Sequence, residues 1–197
     1  MFFTIIDISP RIFSLMYCCC VSIIIVICIC PPGALIWLIN FFLFLFLYEA
    51  YVLPKLLYGM EVLSLNQKQL GILSKFHIDN LRKFQSLPIR TATAVIYWLL
   101  GAMPIEAEIH KRQISFLHNI LNCNNDNIRA LTDRQLIMNI NNPQSFFCRS
   151  SATLEMYNLP TITELKTNLP SKLNWKYICK KAIKLFWTEN LQKMLQD

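Results

Sequence analysis

The groups in this chain that could do chemistry are few and scattered. Glu106 and Glu108 are a close pair of carboxylates, the kind that can act as general acid and base when both flank one bond. Two positions apart on a helix they point to opposite sides, so they cannot share a substrate. Negative charge at that place instead complements the positive end of a helix dipole. His110, Lys111 and Arg112 follow directly and, with His118, make a basic patch able to touch phosphate, although a solvated face explains the same residues. His77 falls between two helix faces with no second titratable group beside it, and reads as a partly exposed surface histidine. Cys28-x-Cys30 is too close for the spacing of a zinc hairpin, and His110, His118 and Cys123 do not reproduce a knuckle, so no metal ligand is expected. Four glycines in the whole chain leave no phosphate loop. No catalytic residue and no cofactor is expected.

The strongest charge pattern lies near the C-terminus, where Lys176, Lys180 and Lys184 recur every four residues with Lys181 beside them. Like charges at that spacing repel by a few tenths of a kcal/mol per pair unless an anion neutralises them, on the order given for helix pairs. A solvated face and a nucleic-acid contact both fit this stripe.

Helical spacing and capping residues define the elements that must carry these groups. Leu70, Leu73, Phe76, Leu81, Phe84 and Leu87 line one face of a helix opening after Leu65-Asn66. Lys75, Asp79 and Lys83 can pair on another face. Pro88 stops that helix. Thr91 or Thr93 can cap a short apolar helix through Leu100, with Gly101 as its C-terminal cap. Pro104 suits the first position of the next helix, which buries Ile105, Ile109, Phe116, Leu117, Ile120 and Leu121, with Glu108 in reach of Arg112. Asn122–Asn127 is a loop, because short polar side chains compete with helical backbone bonding. Helices over Ile128–Asn139 and Ser145–Tyr157 follow. Thr161 caps a turn over Ile162–Thr167, and a last helix runs from Ser171 to about Leu195, its apolar rows built from Trp175, Cys179, Ala182, Ile183, Phe186, Trp187, Leu191 and Leu195.

The N-terminal quarter is written differently. Between Arg11 and Glu49 there is no charged residue, so 18 of the 19 Lys/Arg and 11 of the 12 Asp/Glu lie from Glu49 onward, and the whole net charge of +7 belongs to that part. Ile12–Cys30 is a charge-free run of 19 residues, followed by a Pro31-Pro32-Gly33 break and the apolar Ala34–Tyr48. A bilayer core of about 30 Å takes about 20 apolar residues as helix, so residues 12–48 are expected to meet a membrane as one span or a helical hairpin. Lys55 and the basic residues after it favour a cytoplasmic C-terminal domain. If the run does not insert, the protein is expected to be intracellular. The scattered cysteines suit a reducing compartment. Phe, Leu, Ile, Val and Cys are also what T-rich codons encode, and the lesser alternative for residues 1–47 is translated non-coding sequence.

The motifs taken together resemble a known arrangement. Glu49-Ala50-Tyr51-Val52-Leu53-Pro54-Lys55-Leu56-Leu57-Tyr58-Gly59 comes first, then Leu87-Pro88-x-Arg90-Thr91. Leu100-Gly101-Ala102-x-Pro104-Ile105-Glu106-Ala107-Glu108-Ile109-His110-Lys111-Arg112 follows, with Leu131-Thr132-x-Arg134-Gln135-Leu136 and Trp175-Lys176 after it. In this order they are similar to the C-terminal region of animal non-LTR (LINE-type) retrotransposon reverse transcriptases, over residues 48–197. That resemblance implies a helical thumb and downstream segment that helps to hold template and primer. The polymerase palm would carry an adjacent Asp pair to bind two metal ions. Asp79, Asp126 and Asp133 are isolated, so polymerase activity is not implied. The endonuclease domain and terminal zinc knuckle of some relatives are also missing.

The expectation is therefore an all-α protein. A hydrophobic segment at 1–48, with one or two helices, precedes an irregular domain of six or seven helices at 49–197. Its expected role is that of a non-catalytic reverse-transcriptase remnant, touching RNA or DNA without sequence preference through Lys176, Lys180, Lys181, Lys184, His110, Lys111 and Arg112. The alternative is a small membrane-anchored protein whose basic helical domain acts in interactions. No small-molecule substrate is expected in either case.

Overall fold

The computed structural model describes residues 41–139 and 141–196, and the chain divides into two units, 1–47 and 48–197. In the first unit residues 41–47 are described, and they are helical. The expectations for the Ile12–Cys30 run, the Pro31-Pro32-Gly33 break and the N-terminal cysteines lie outside the described residues. Among the described residues no helix is long and apolar enough to cross a membrane.

The second unit is all-helical. A π-helical turn, Tyr48–Val52, leads into α1 (Leu53–Leu56), and then come α2 (Gln67–Phe84), α3 (Thr93–Leu100), α4 (Ile105–Leu121), α5 (Asp126–Met138), α6 (Phe146–Met156), α7 (Ile162–Thr167) and α8 (Lys172–Gln196). Eight α-helices are described where six or seven were expected, because the Leu-Pro-Lys-Leu stretch closes a short turn of its own with Pro in its first turn, where a missing amide costs nothing.

Local chemistry fixes most of the ends. Asn66 accepts from the Gln69 amide at 2.8 Å while the Gln69 side chain accepts from the Asn66 amide at 3.0 Å, a reciprocal cap that starts α2. Thr161 and Glu164 make the same box on α7. Gly101 ends α3 at φ +59°, where a side chain would be strained. Two capping expectations differ from the structure. Thr91 donates to the Pro88 carbonyl at 2.8 Å and so closes the preceding turn, leaving Ala92 at the N-cap of α3 without a side-chain bond. Pro104 stands at the N-cap of α4, one residue before the first helical position.

Packing centres on α4, which contacts α2, α5, α6 and α8. Ile105 and Ile109 join Leu57 in one cluster, against which Leu53, Leu56, Met60, Leu65, Leu70 and Leu73 pack. Ala107, Ile114 and Leu117 join a larger one with Leu154, Tyr157, Leu159, Ile162, Leu165, Trp175, Cys179 and Ile183. A helix buried on two faces buries polar groups too. Gln113 therefore meets the Ser150 hydroxyl at 3.2 Å, which satisfies both groups. Phe116, expected inside, stays at the rim in edge contact with Phe146, since the buried arc of α4 passes through Gln113 and Leu117 instead.

Trp175 is 1% exposed and anchors the N-terminal part of α8 on α4. Its truncation to Ala should cost about 3–5 kcal/mol, the usual range for a buried Trp. Leu185→Ala on the open side of the same helix, where the side chain is 54% exposed, should cost less than about 0.5 kcal/mol. Urea unfolding of the two variants followed by circular dichroism checks the contrast.

Candidate functional site

Burying α4 on two faces leaves one stripe of it uncovered, and Lys111, Arg112, Ser115 and Asn119 occupy that stripe at helical spacing. Helix α8 crosses beside it with Lys172 and Lys176 turned the same way. Together they line an open groove of about 400 Å³, floored by Phe116, His118 and Trp175 and approached by Glu61 from the α1–α2 connection. Rigid contacts set this geometry. The His118 ring stacks on Trp175 with centroids 6.0 Å apart, and its Nε2–H donates to the Pro170 carbonyl at 2.9 Å, which pins the turn before α8.

The cations in the groove are not equivalent. Lys111 pairs with Glu108 at 2.7 Å, a local i,i+3 bond that half neutralises it. The pairing of Glu108 with Arg112 expected at i+4 is not made. Asp79 likewise pairs with Arg82 at 2.9 Å rather than with Lys75 or Lys83. Among the described residues Arg112, Lys172 and Lys176 have no ion-pair partner. One Glu61 carboxylate oxygen is buried without a hydrogen-bond partner among the described residues. The groove therefore gathers four basic side chains around one carboxylate.

Of the residues singled out in the sequence, Lys111, Arg112 and Lys176 meet here. Lys180, Lys181 and Lys184 lie further along α8, all exposed. Lys172 was missed, although it stands four residues before Lys176 and starts the same stripe. It reads from sequence as a first-turn residue, and only the crossing of α8 over α4 brings it against Arg112.

The histidines are drawn inward, although His118 still lines the groove. His110 points into the core, where its Nδ1 meets the Tyr157 hydroxyl at 2.9 Å, and Trp187 donates to that same oxygen at 3.0 Å. His118 is buried. His77, expected at the surface, is 2% exposed. Its Nε2–H must donate to the Met103 carbonyl at 3.1 Å, which leaves Nδ1 to accept from the Tyr48 hydroxyl at 2.8 Å. The cause is tertiary: the rings of Tyr48 and Tyr97 both stack with it, at 5.7 and 5.9 Å.

Burial favours the neutral forms of His77 and His110. Burial lowers the pKa of His77, against smaller raising effects from the Met103 carbonyl and Glu108, and burial lowers that of His110. Burial pushes the Tyr48 and Tyr157 hydroxyls and the Cys179 thiol up to about 12. A thiol so raised is no nucleophile near neutral pH. Glu106 is raised by burial and Glu108 is paired, so the two carboxylates serve the helix terminus and the core. Among the described residues no three His, Cys, Asp or Glu side chains converge on a point that could hold a metal ion.

Comparison of the chain with protein-family models, with curated proteins and with solved structures finds no match.

The buried histidines give a signed pH dependence. Above the ordinary value of 6.5 neither His77 nor His110 is charged in the folded or unfolded chain, and their contribution is fully present. As pH falls below 6.5 the unfolded chain takes up protons first, so stability declines until the lowered folded values are passed. Glu106 acts oppositely: its burial cost, present above its raised folded pKa, is relieved as pH falls toward 4.5. Urea midpoints should therefore drop from about pH 7.5 to about pH 5.5, and His77→Gln should flatten that drop. The same pH dependence in the parent protein and in His77→Gln would refute the assignment.

Proposed function

We propose that residues 48–197 form a non-catalytic helical module that holds nucleic-acid backbone without sequence preference, a remnant of the C-terminal region of a non-LTR retrotransposon reverse transcriptase. The observation that carries the binding is the groove, in which Lys111 and Arg112 of α4 meet Lys172 and Lys176 of α8. Arg112, Lys172 and Lys176, which have no ion-pair partner among the described residues, gain from an anion that neutralises several of them at once. The order and spacing of the quoted motifs from Glu49 to Trp175-Lys176 support the ancestry.

Chemistry on the bound strand is not part of the proposal. Phosphoryl transfer needs carboxylates that converge on metal ions, and Asp79 and Asp133 are each tied to a nearby cation, Arg82 and Lys166. Asp126 lies within 3.7 Å of Arg129 at the start of α5.

Binding of an RNA–DNA duplex by the full-length protein across a salt series tests this function. If four cations meet phosphates, log K should fall with log salt at a slope of about −3 to −4. Replacing Lys172, Lys176, Lys180 and Lys184 together by Gln should flatten the slope and weaken binding at low salt. An affinity indifferent to salt would end the proposal.

A second function rests on the charge-free run at 12–48, which is long enough to meet a bilayer. In this alternative the run anchors the protein and the basic unit faces the anionic cytoplasmic leaflet. Full-length protein should then stay with membranes through carbonate extraction, and its release into the soluble fraction would argue for an unanchored protein.

A further inference from the structure

Helix α8 carries one feature that phosphate binding leaves unexplained. Tyr177 is 66% exposed, and among the described residues its ring makes no aromatic contact and its hydroxyl no hydrogen bond. It stands between Lys176 and the trio Lys180, Lys181 and Lys184, with Leu173, also exposed, one turn before it. Along α8 six lysines face one acidic residue, Glu189, and none of the twelve residues before Lys184 is acidic. Of the other exposed aromatics, Phe116 in the groove is held in edge contact with Phe146, and Trp98 lies on α3, which has no charged residue.

We propose that Tyr177 is a base-stacking platform set within the lysine stripe of α8, so that the nucleic acid this helix prefers is single-stranded. The inference rests on the nucleic-acid function above and names its substrate class. A duplex, whose bases are stacked inward and whose backbone alone is presented, gains nothing from a flat ring standing out between lysines. An unpaired base can lie on that ring while neighbouring lysines follow the phosphates, and because every base has a π face the contact carries no sequence preference. The stripe suits this geometry, since residues four apart on a helix rise about 6 Å and keep to one side.

A membrane surface is the competing occupant for a basic helix with exposed apolar side chains. An interfacial helix segregates its apolar face from its charges. On α8 they alternate: Lys180 and Lys181 fall at i+3 and i+4 from Tyr177, and Lys184 directly precedes Leu185, so no continuous apolar face exists to enter lipid.

The test compares full-length wild-type protein, Tyr177→Ala, Tyr177→Phe and the four-lysine Gln variant, by fluorescence anisotropy at matched salt. The probes are an oligothymidine of about 20 nucleotides, long enough for such a site, the RNA–DNA duplex used above, and phosphatidylserine vesicles. Wild type should bind the single strand more tightly than the duplex. Tyr177→Ala should weaken single-strand binding about tenfold with duplex binding unchanged, and Tyr177→Phe should keep the wild-type preference. Since the side chain is two-thirds exposed and among the described residues makes no hydrogen bond or ring contact, loss through unfolding is not expected, and unchanged duplex binding serves as the control for it. If Tyr177→Ala matches wild type on the single strand while the lysine variant still loses affinity, stacking is refuted and backbone binding survives. If wild type binds neither nucleic acid, both fall. If Tyr177→Ala loses vesicle binding and keeps oligonucleotide binding, the helix serves a membrane surface and the proposal is overturned.

Discussion

The second unit depends on α4 being buried from two sides. Its Ile105 and Ile109 complete one apolar cluster, and its Ala107, Ile114 and Leu117 complete another, so four neighbouring helices take their positions from a single 17-residue element. Burial of large apolar side chains is the dominant favourable contribution to folding, at about 25 cal/mol per Å² removed from water. A helix that supplies it in two directions constrains everything packed on it. It also decides what the protein can show. Once two faces are covered, Lys111, Arg112, Ser115, Phe116 and Asn119 are among the residues left at least partly open, and these border the groove.

The histidines trapped by this arrangement find hydrogen-bond partners inside it. His77 links the π-helical turn at Tyr48 to Met103 just before α4, His110 links α4 to Tyr157 and through it to Trp187 of α8, and His118 links α4 to Pro170. Each histidine joins segments far apart in the chain and acts as a specific tie within an otherwise non-directional core. Arg149 plays a similar part from α6, donating to the Val62 and Leu63 carbonyls at 2.5 Å and fastening the α1–α2 connection that carries Glu61 to the groove. The same connection is held at Ser64, which donates to Gln144.

Charge follows an inverse logic. Lysines on α8 repel one another and add nothing to packing, yet α8 is held firmly by Trp175, Cys179 and Ile183 on its other side. The apolar face offsets the cost of the basic one, so the helix keeps lysines at repulsive spacing on its solvent side.

Sequence alone determined what depends on neighbours along the chain. Helical class, most boundaries, the cap at Thr161, the left-handed Gly101 and the i,i+4 order of Lys176, Lys180 and Lys184 were legible, because capping and helical periodicity act within a turn or two. What it misjudged depends on partners far away. His77 looked like a surface residue because Tyr48 and Met103 are 29 and 26 positions distant. His110 and His118 looked like part of a basic patch because their true partners are 47 and 52 positions away. Lys172 gained meaning only from the crossing of α8 over α4. Periodicity names the face a residue occupies, whereas burial of that face, and the company it keeps there, is settled only when distant helices pack.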